Sequence, residues 1–171
     1  MSEEEVKSFK NNTLSLKYLL ESAKKDPKHF IINMIDVGLS NDIPILIPLV
    51  TNNVYDYYFA AEKYYRSTGN KKGGIEIQNL FVQHASINKM IEEGKRNHIL
   101  FLQQMLKNGK QNQIPLLAQL TASCDDDYYH SAKEYYRATN DKVGVKRILY
   151  SYSIWENDYL IDRFEREITT L

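Results

Sequence analysis

Tyr57-Tyr58-Phe59-Ala60-Ala61-Glu62-Lys63-Tyr64-Tyr65-Arg66-Ser67-Thr68 returns further along the chain as Tyr128-Tyr129-His130-Ser131-Ala132-Lys133-Glu134-Tyr135-Tyr136-Arg137-Ala138-Thr139. The shared frame is Tyr-Tyr-x-x-Ala-x-x-Tyr-Tyr-Arg-x-Thr. At about 100° per residue, Val54, Tyr57, Tyr58, Ala61, Tyr64, Tyr65 and Thr68 share an arc of roughly 120°, with Glu62, Lys63 and Arg66 opposite. This spacing predicts an amphipathic helix over 54–68. Gly69-Asn70 should close it, and Gly73-Gly74 should mark the next start.

Outward from the motif, the 71-residue offset between Tyr57 and Tyr128 persists without a gap. Ile77, Leu80 and Ile87 stand where Val6, Phe9 and Leu16 stood. Phe101, Met105 and Gly109 repeat Phe30, Met34 and Gly38. Asn112, Ile114, Pro115, Leu117 and Leu120 repeat Asn41, Ile43, Pro44, Leu46 and Leu49. Helical periodicity alone explains recurring apolar positions but not recurring caps, prolines and glycines. The expected organisation is therefore a single helical repeat domain, with copy one at 3–73, copy two at 74–144, and a partial third copy at 145–171.

Gly (7) and Pro (4) are sparse, and no long stretch alternates with period two, so every element should be helical. The expected fold is all-α, with stacked helical-hairpin repeats. It comprises two copies of a 71-residue four-helix unit plus a C-terminal capping helix, in an ankyrin/tetratricopeptide-like solenoid.

The first segment, 4–24, places Val6, Phe9, Leu16, Leu19, Leu20 and Ala23 on one side, with Asn12 or Thr13 available as a new cap. Asp26-Pro27 should open a second helix with Phe30, Ile31, Met34 and Ile35 inward, stopped by Gly38. Asn41-Asp42 should cap a third, which Pro48 should kink or end. Four helices per copy require 74–95 to be one helix, bending near His84. Ser153-x-x-Glu156 suggests a capping box for a last helix carrying Trp155, Tyr159, Leu160 and Phe164.

The stretch from Ser131-Ala132-Lys133-Glu134-Tyr135-Tyr136 through Val145, Ile148 and Leu149 resembles a stretched ankyrin unit, although the Thr-Pro-Leu-His tetrapeptide is absent. The Ala-x-x-Tyr-Tyr pattern is similar to tetratricopeptide units. These short resemblances imply a helical-hairpin repeat and no particular protein.

Charge and composition narrow the classes of function. The 22 basic residues balance 22 acidic ones, so nucleic acid, which demands a basic face, is not the expected partner. The one cysteine, Cys124, allows neither an intramolecular disulfide nor a multi-cysteine zinc site. The acidic N-terminus has no apolar run, and the most apolar window, Ile43-Pro44-Ile45-Leu46-Ile47-Pro48-Leu49-Val50, is too short to span a bilayer. A soluble cytoplasmic protein without membrane partners is expected. Richness in Lys, Asn, Ile and Tyr suggests an AT-rich genome, that of a virus or an intracellular parasite, with the host cytosol as location if viral.

The densest polar cluster is Asp125-Asp126-Asp127 with His130 and Cys124. Carboxylates and an imidazole can hold a divalent metal, but acidic residues at a helix N-terminus also offset its dipole. Copy one carries Val54, Tyr55, Asp56 and Phe59 there, so the scaffold does not need the cluster, and capping is its expected role. None of the four histidines forms a zinc-type helical pair; His29 and His98, near helix starts, should be solvated. Cys124 should be a small buried hydrophobe. Gly69-x-x-x-Gly73-Gly74 lacks the Walker order and reads as a turn. Lys71-Lys72, Lys142 and Lys146-Arg147 read as solvated basic groups.

No catalytic constellation or cofactor signature is visible. The candidate partner-binding residues are Tyr57, Tyr58, Tyr64, Tyr65 and Arg66 in copy one. In copy two they are Tyr128, Tyr129, His130, Tyr135, Tyr136 and Arg137. Their first expected use is helix packing around Ala61 and Ala132; their second is an aromatic groove for a peptide. The expected function is a small non-catalytic module binding another protein or peptide, and self-association is compatible with it. The alternatives are a metal-dependent or enzymatic protein using Asp125, Asp126, Asp127 and His130, and a nucleic-acid-binding regulator using the basic turns.

Overall fold

The computed structural model describes residues 16–152 and 157–168. Val6, Phe9, Asn12, Thr13, Trp155 and the Ser153/Glu156 box lie outside the described residues. Among those described, regular structure is helical throughout and no strand occurs. No described helix is long and apolar enough to cross a membrane. The chain divides into two compact units, one spanning Lys17–Met90 and the other beginning at Ile91.

In the first unit, α1 (Leu16–Ala23) buries Leu20 and Ala23. α2 (Pro27–Asp36) begins as its sequence requires: Pro27 takes the first turn, and the Asp26 carboxylate accepts the His29 backbone N–H at 3.1 Å. Phe30, Ile31 and Met34 face inward, and the chain leaves through Gly38 at φ +79. A 3-10 turn at Ser40–Asp42 then runs straight into α3 (Ile43–Val50). Asp42 makes no side-chain cap bond there, contrary to the expected Asn41-Asp42 cap. Pro48 does not stop α3 either, because the helix runs on to Val50 before Thr51 turns extended. Pro48 forfeits one N–H late in a short helix whose apolar side chains are almost all buried, so packing outweighs the lost bond.

α4 (Val54–Thr68) spans the expected residues. The Asn53 side chain accepts the Tyr55 N–H at 2.9 Å, and Gly69 closes the helix in the left-handed region at φ +69. Asn70 immediately caps α5 (Lys71–Leu80), accepting the Gly73 N–H at 2.9 Å. Gly73-Gly74 therefore lies inside the first turn of α5 and is not the turn between helices. Both glycines are buried because α5 approaches α4 closely. A Cβ on Gly73 would stand 2.5 Å from Tyr64 Cε1, and one on Gly74 would stand 3.3 Å from the Ala61 carbonyl. The stretch 74–95, expected as one helix bending near His84, is instead divided between α5 and α6 (His84–Arg96), with a 3-10 segment, Phe81–Gln83, between them.

The second unit continues with α7 (His98–Lys107), capped by the Asn97 side chain on Leu100 N, and a 3-10 turn at Gln111–Gln113. α8 (Ile114–Thr121) and α9 (Asp125–Thr139) follow, with Asn140 closing α9 at φ 57. Asn tolerates that left-handed conformation better than most residues. Asp141 caps α10 (Lys142–Tyr150), and α11 (Asn157–Glu167) ends the described chain. Phe101, Leu102, Met105, Ile114, Leu117, Ile148, Leu149 and Leu160 form the core, each almost fully buried.

Candidate functional site

The tyrosine pairs separate into two kinds. Tyr57 is fully buried; its hydroxyl donates to the Thr51 carbonyl at 3.0 Å, and its ring meets Phe81 edge-on at 5.6 Å. Burial, with the Asp56 charge second, pushes its hydroxyl pKa up to about 12. Tyr64 lies against Gly73, and its hydroxyl accepts from Asn70 Nδ2 at 3.3 Å, which ties it to the cap of α5. Tyr128 is buried against Tyr152, with ring centroids 5.3 Å apart. Tyr135 lies against Gly144 and donates to Asp141 Oδ2 at 2.5 Å. Burial, then the Asp141 hydrogen bond, pushes its pKa up to about 12. These four tyrosines hold helices together.

Tyr58 and Tyr65 behave otherwise. They are 52% and 48% exposed, beside Ile75 at 48%. The buried stripe of α4 is Tyr57, Ala60, Ala61 and Tyr64, so the expected arc is centred too far toward Tyr58 and Tyr65. α4 packs against both α2 and α5, which turns its Ala60 side inward as well as its Ala61 side. Tyr58, Tyr65, Glu62, Lys71 and Ile75 line a shallow groove of about 160 Å³ between α4 and α5. Arg66 is exposed and pairs at 2.7 Å with Glu62, one of the lining residues.

In the second unit α11 lies over the corresponding face. Phe164 meets Tyr136 edge-on at 5.4 Å, and the Arg163 guanidinium sits 3.9 Å above the Tyr129 ring. The Tyr129 hydroxyl donates to Glu167, and Lys133 Nζ lies 5.0 Å from the Tyr129 ring centroid. Burial, then Glu167, pushes the Tyr129 pKa up to about 12. The Tyr129 hydroxyl, helped by Arg163 and Lys133, holds the Glu167 carboxyl below its usual range. Arg137 pairs with Glu134 at 2.5 Å, and His130 is half-buried. The expected partner-binding set is thus dispersed: some members are core, some lie under α11, and Tyr58, Tyr65, Arg66 and Arg137 face solvent.

The acidic cluster points in several directions. Asp127 Oδ2 accepts both the N–H and the hydroxyl of Ser123 at 2.9 Å. Partial burial raises the Asp127 pKa, but the Ser123 bonds prevail and hold it low. Asp125 accepts from the Tyr159 hydroxyl and from the Asp126 N–H, while Asp126 lies 3.8 Å from Arg163. Among the described residues no three His, Cys, Asp or Glu side chains converge on a metal position. Cys124 is exposed rather than buried, because it occupies the N-cap position of α9 at the surface.

No protein-family model, curated protein or solved structure matches this chain.

His98 is the residue whose place sequence reasoning missed. Far from being solvated, it is 7% exposed. Its Nδ1 lies 2.8 Å from Thr121 Oγ1 and its Nε2 lies 2.5 Å from Ser131 Oγ. Each hydroxyl also lies near a backbone carbonyl, Thr121 Oγ1 3.3 Å from that of Ala118 and Ser131 Oγ 2.7 Å from that of Asp127. A neutral ring donates from one nitrogen only, so one hydroxyl donates to His98 while the other accepts from it and donates to its carbonyl. Burial lowers the His98 pKa against the opposing pull of Asp127. Ser131 has no exposure, so no substrate reaches this Ser–His pair, and the trio is a polar network within the core. A signal was present in the sequence: the positions 71 residues before His98, Thr121 and Ser131 hold Pro27, Val50 and Ala60, a simultaneous exchange of three polar residues for three without polar side chains.

Proposed function

We propose that the chain is a non-catalytic helical-repeat module that binds another protein or peptide through the α4/α5 tyrosine groove. The observation carrying this reading is the exposure of Tyr58 and Tyr65 beside Ile75, whereas Tyr129 and Tyr136, their equivalents in copy two, are covered by α11. Half-exposed aromatic rings flanking an aliphatic side chain are the surface that binding hot spots favour. A duplicated unit, with copies at 3–73 and 74–144 and a closing segment at 145–171, is part of the same proposal. It is supported by the starts of α7, α8, α9 and α10, which follow those of α2, α3, α4 and α5 at the same constant offset as the sequence motif. A stacked, solenoid-like arrangement of those copies follows from the same reading. The exposed free thiol of Cys124 suits a reducing compartment, which favours the cytoplasm.

The experiment is affinity capture from the native cell with wild type and with Tyr58→Ala/Tyr65→Ala. Both substitutions are at exposed positions and should leave the helical circular-dichroism spectrum and the melting temperature close to wild type. Loss of a specific partner with the double variant is the expected result. Retention of every partner by the folded variant would refute the groove as the binding surface.

A further inference from the structure

Phe59 and His130, which differ between the two motifs, do not change alone. At the same 71-residue offset Lys28 stands against Ile99 and Lys63 against Glu134. The fold of the first unit brings these three residues to one place. Lys28 Nζ, from α2, lies over the half-buried Phe59 ring at 5.5 Å from its centroid, and Lys63 Nζ, from α4, lies over it at 5.4 Å. Among the described residues neither ammonium pairs with a carboxylate. The carboxylates of these two helices and of the α2 cap are engaged elsewhere. Asp26 caps α2, Asp56 accepts the Thr51 hydroxyl at 2.6 Å, and Glu62 holds Arg66 at 2.7 Å. Asp36, the other acid of α2, lies two turns beyond Lys28.

Helix stability does not account for these cations. Lys28 sits in the first turn of α2, where the positive end of the helix dipole disfavours a cation. Two ammonium groups drawn to one ring also repel each other, and an anion placed between or beside them removes that repulsion. Because the ring already holds both side chains, binding an anion costs them less rotamer entropy than two free lysines would lose.

We propose that Lys28 and Lys63, seated on Phe59, receive an acidic segment of a partner protein, each ammonium taking one of its carboxylates. Ile32, one turn beyond Lys28 and 41% exposed, adds an apolar contact beside the charges. Nucleic acid needs a broader basic face than two lysines with Glu62 and Asp36 on the same helices. The surface lies more than about 90° around α4 from Tyr58 and Tyr65, so it stands apart from the tyrosine groove and does not depend on it.

The test is fluorescence anisotropy at about 20 mM salt, where surface charges are least screened. The probe is a rhodamine-labelled decapeptide alternating glutamate and glycine, titrated with the full chain; in the control peptide glutamine replaces glutamate. The glutamate peptide should saturate, and the glutamine peptide should not. Lys28→Ala/Lys63→Ala should weaken binding by about tenfold, the product of two exposed charge contacts. Phe59→Leu keeps apolar bulk but removes the ring, and should weaken it by about threefold. Lys28→Arg/Lys63→Arg should retain it, since a guanidinium also seats on a ring. Lys107→Ala/Lys142→Ala removes the same charge from exposed positions of the second unit and should leave affinity unchanged. Circular dichroism checks that each variant is folded. Absence of saturable binding up to about 1 mM overturns the proposal. Equal weakening by the Lys107/Lys142 pair also overturns it, because the attraction is then nonspecific. So does binding that survives loss of both Lys28 and Lys63, which places the peptide elsewhere. A single-stranded DNA decamer that binds more tightly than the peptide, and loses affinity with the same two lysines, overturns the acidic-protein class.

Discussion

Replacing Gly144 with alanine sets helix propensity against packing at the α9–α10 junction. A Cβ at Gly144 would stand 2.6 Å from Tyr135 Cζ and 2.5 Å from its hydroxyl, well inside van der Waals contact. The ring has little room to yield, since Tyr135 is 5% exposed and its hydroxyl is held 2.5 Å from Asp141, the cap of α10. Overpacking of this kind costs about 1–3 kcal/mol. Swinging the ring away instead would sacrifice a hydrogen bond to a charged group, about 1.5–3 kcal/mol. The better helix propensity of alanine returns about 1 kcal/mol. The net expectation is a loss of about 1 kcal/mol, seen as a fall of about 2–4 °C in melting temperature for a chain of this size. Thermal and urea unfolding followed by circular dichroism measure it. In a Tyr135→Leu background the steric term disappears, and the same Gly144→Ala change should be neutral or stabilising by up to about 1 kcal/mol. A melting temperature at or above wild type, or an equal loss in both backgrounds, would show that the tyrosine-on-glycine contact does not fix this glycine.

Two further outcomes follow from the second unit. Because burial lowers the His98 pKa in the folded state, the unfolded chain takes up its proton first as pH falls through about 6.5. Stability from this group is therefore complete above that pH and declines below it, by at most about 1.4 kcal/mol per pH unit, until folded His98 is also protonated. Urea unfolding at pH 7.5 and 5.5 should show a smaller difference in His98→Gln than in wild type; an identical difference would contradict the buried placement. Phe164→Ala removes a ring 2% exposed, whose deletion costs about 3–5 kcal/mol in well-packed sites. Hydrogen exchange should accelerate across α11 and leave α7 and α8 protected, whereas unchanged α11 exchange would mean that Phe164 does not anchor it.

Local chemistry was the most legible part of the fold. Asp26-Pro27, Gly69 and Gly38 act within a turn or two of themselves, so their caps and stops follow from sequence and appear as expected. Pro48 and Gly73-Gly74 were harder, because neighbouring helices supply the deciding terms: burial carries α3 past Pro48, and a tyrosine ring on α4 demands the glycine inside α5. The candidate site was legible as a set of residue types and not as a surface. Tyr57 and Tyr58 share a motif and an arc, yet one is fully buried and the other half-exposed. His98, expected solvated from its place near a helix start, and Cys124, expected buried as a small hydrophobe, both lie on the opposite side of the protein–water boundary from the one expected.

By itself the sequence determined that the chain is helical and where most helices begin and end, because periodicity, caps and glycines are short-range properties. It also contained the constant offset between the two motifs, which singles out the divergent positions. Tertiary structure decided which tyrosines are core, which ones α11 covers and which remain at the surface. A residue's burial depends on what packs against its helix from distant parts of the chain, and no pattern within that helix encodes the neighbour.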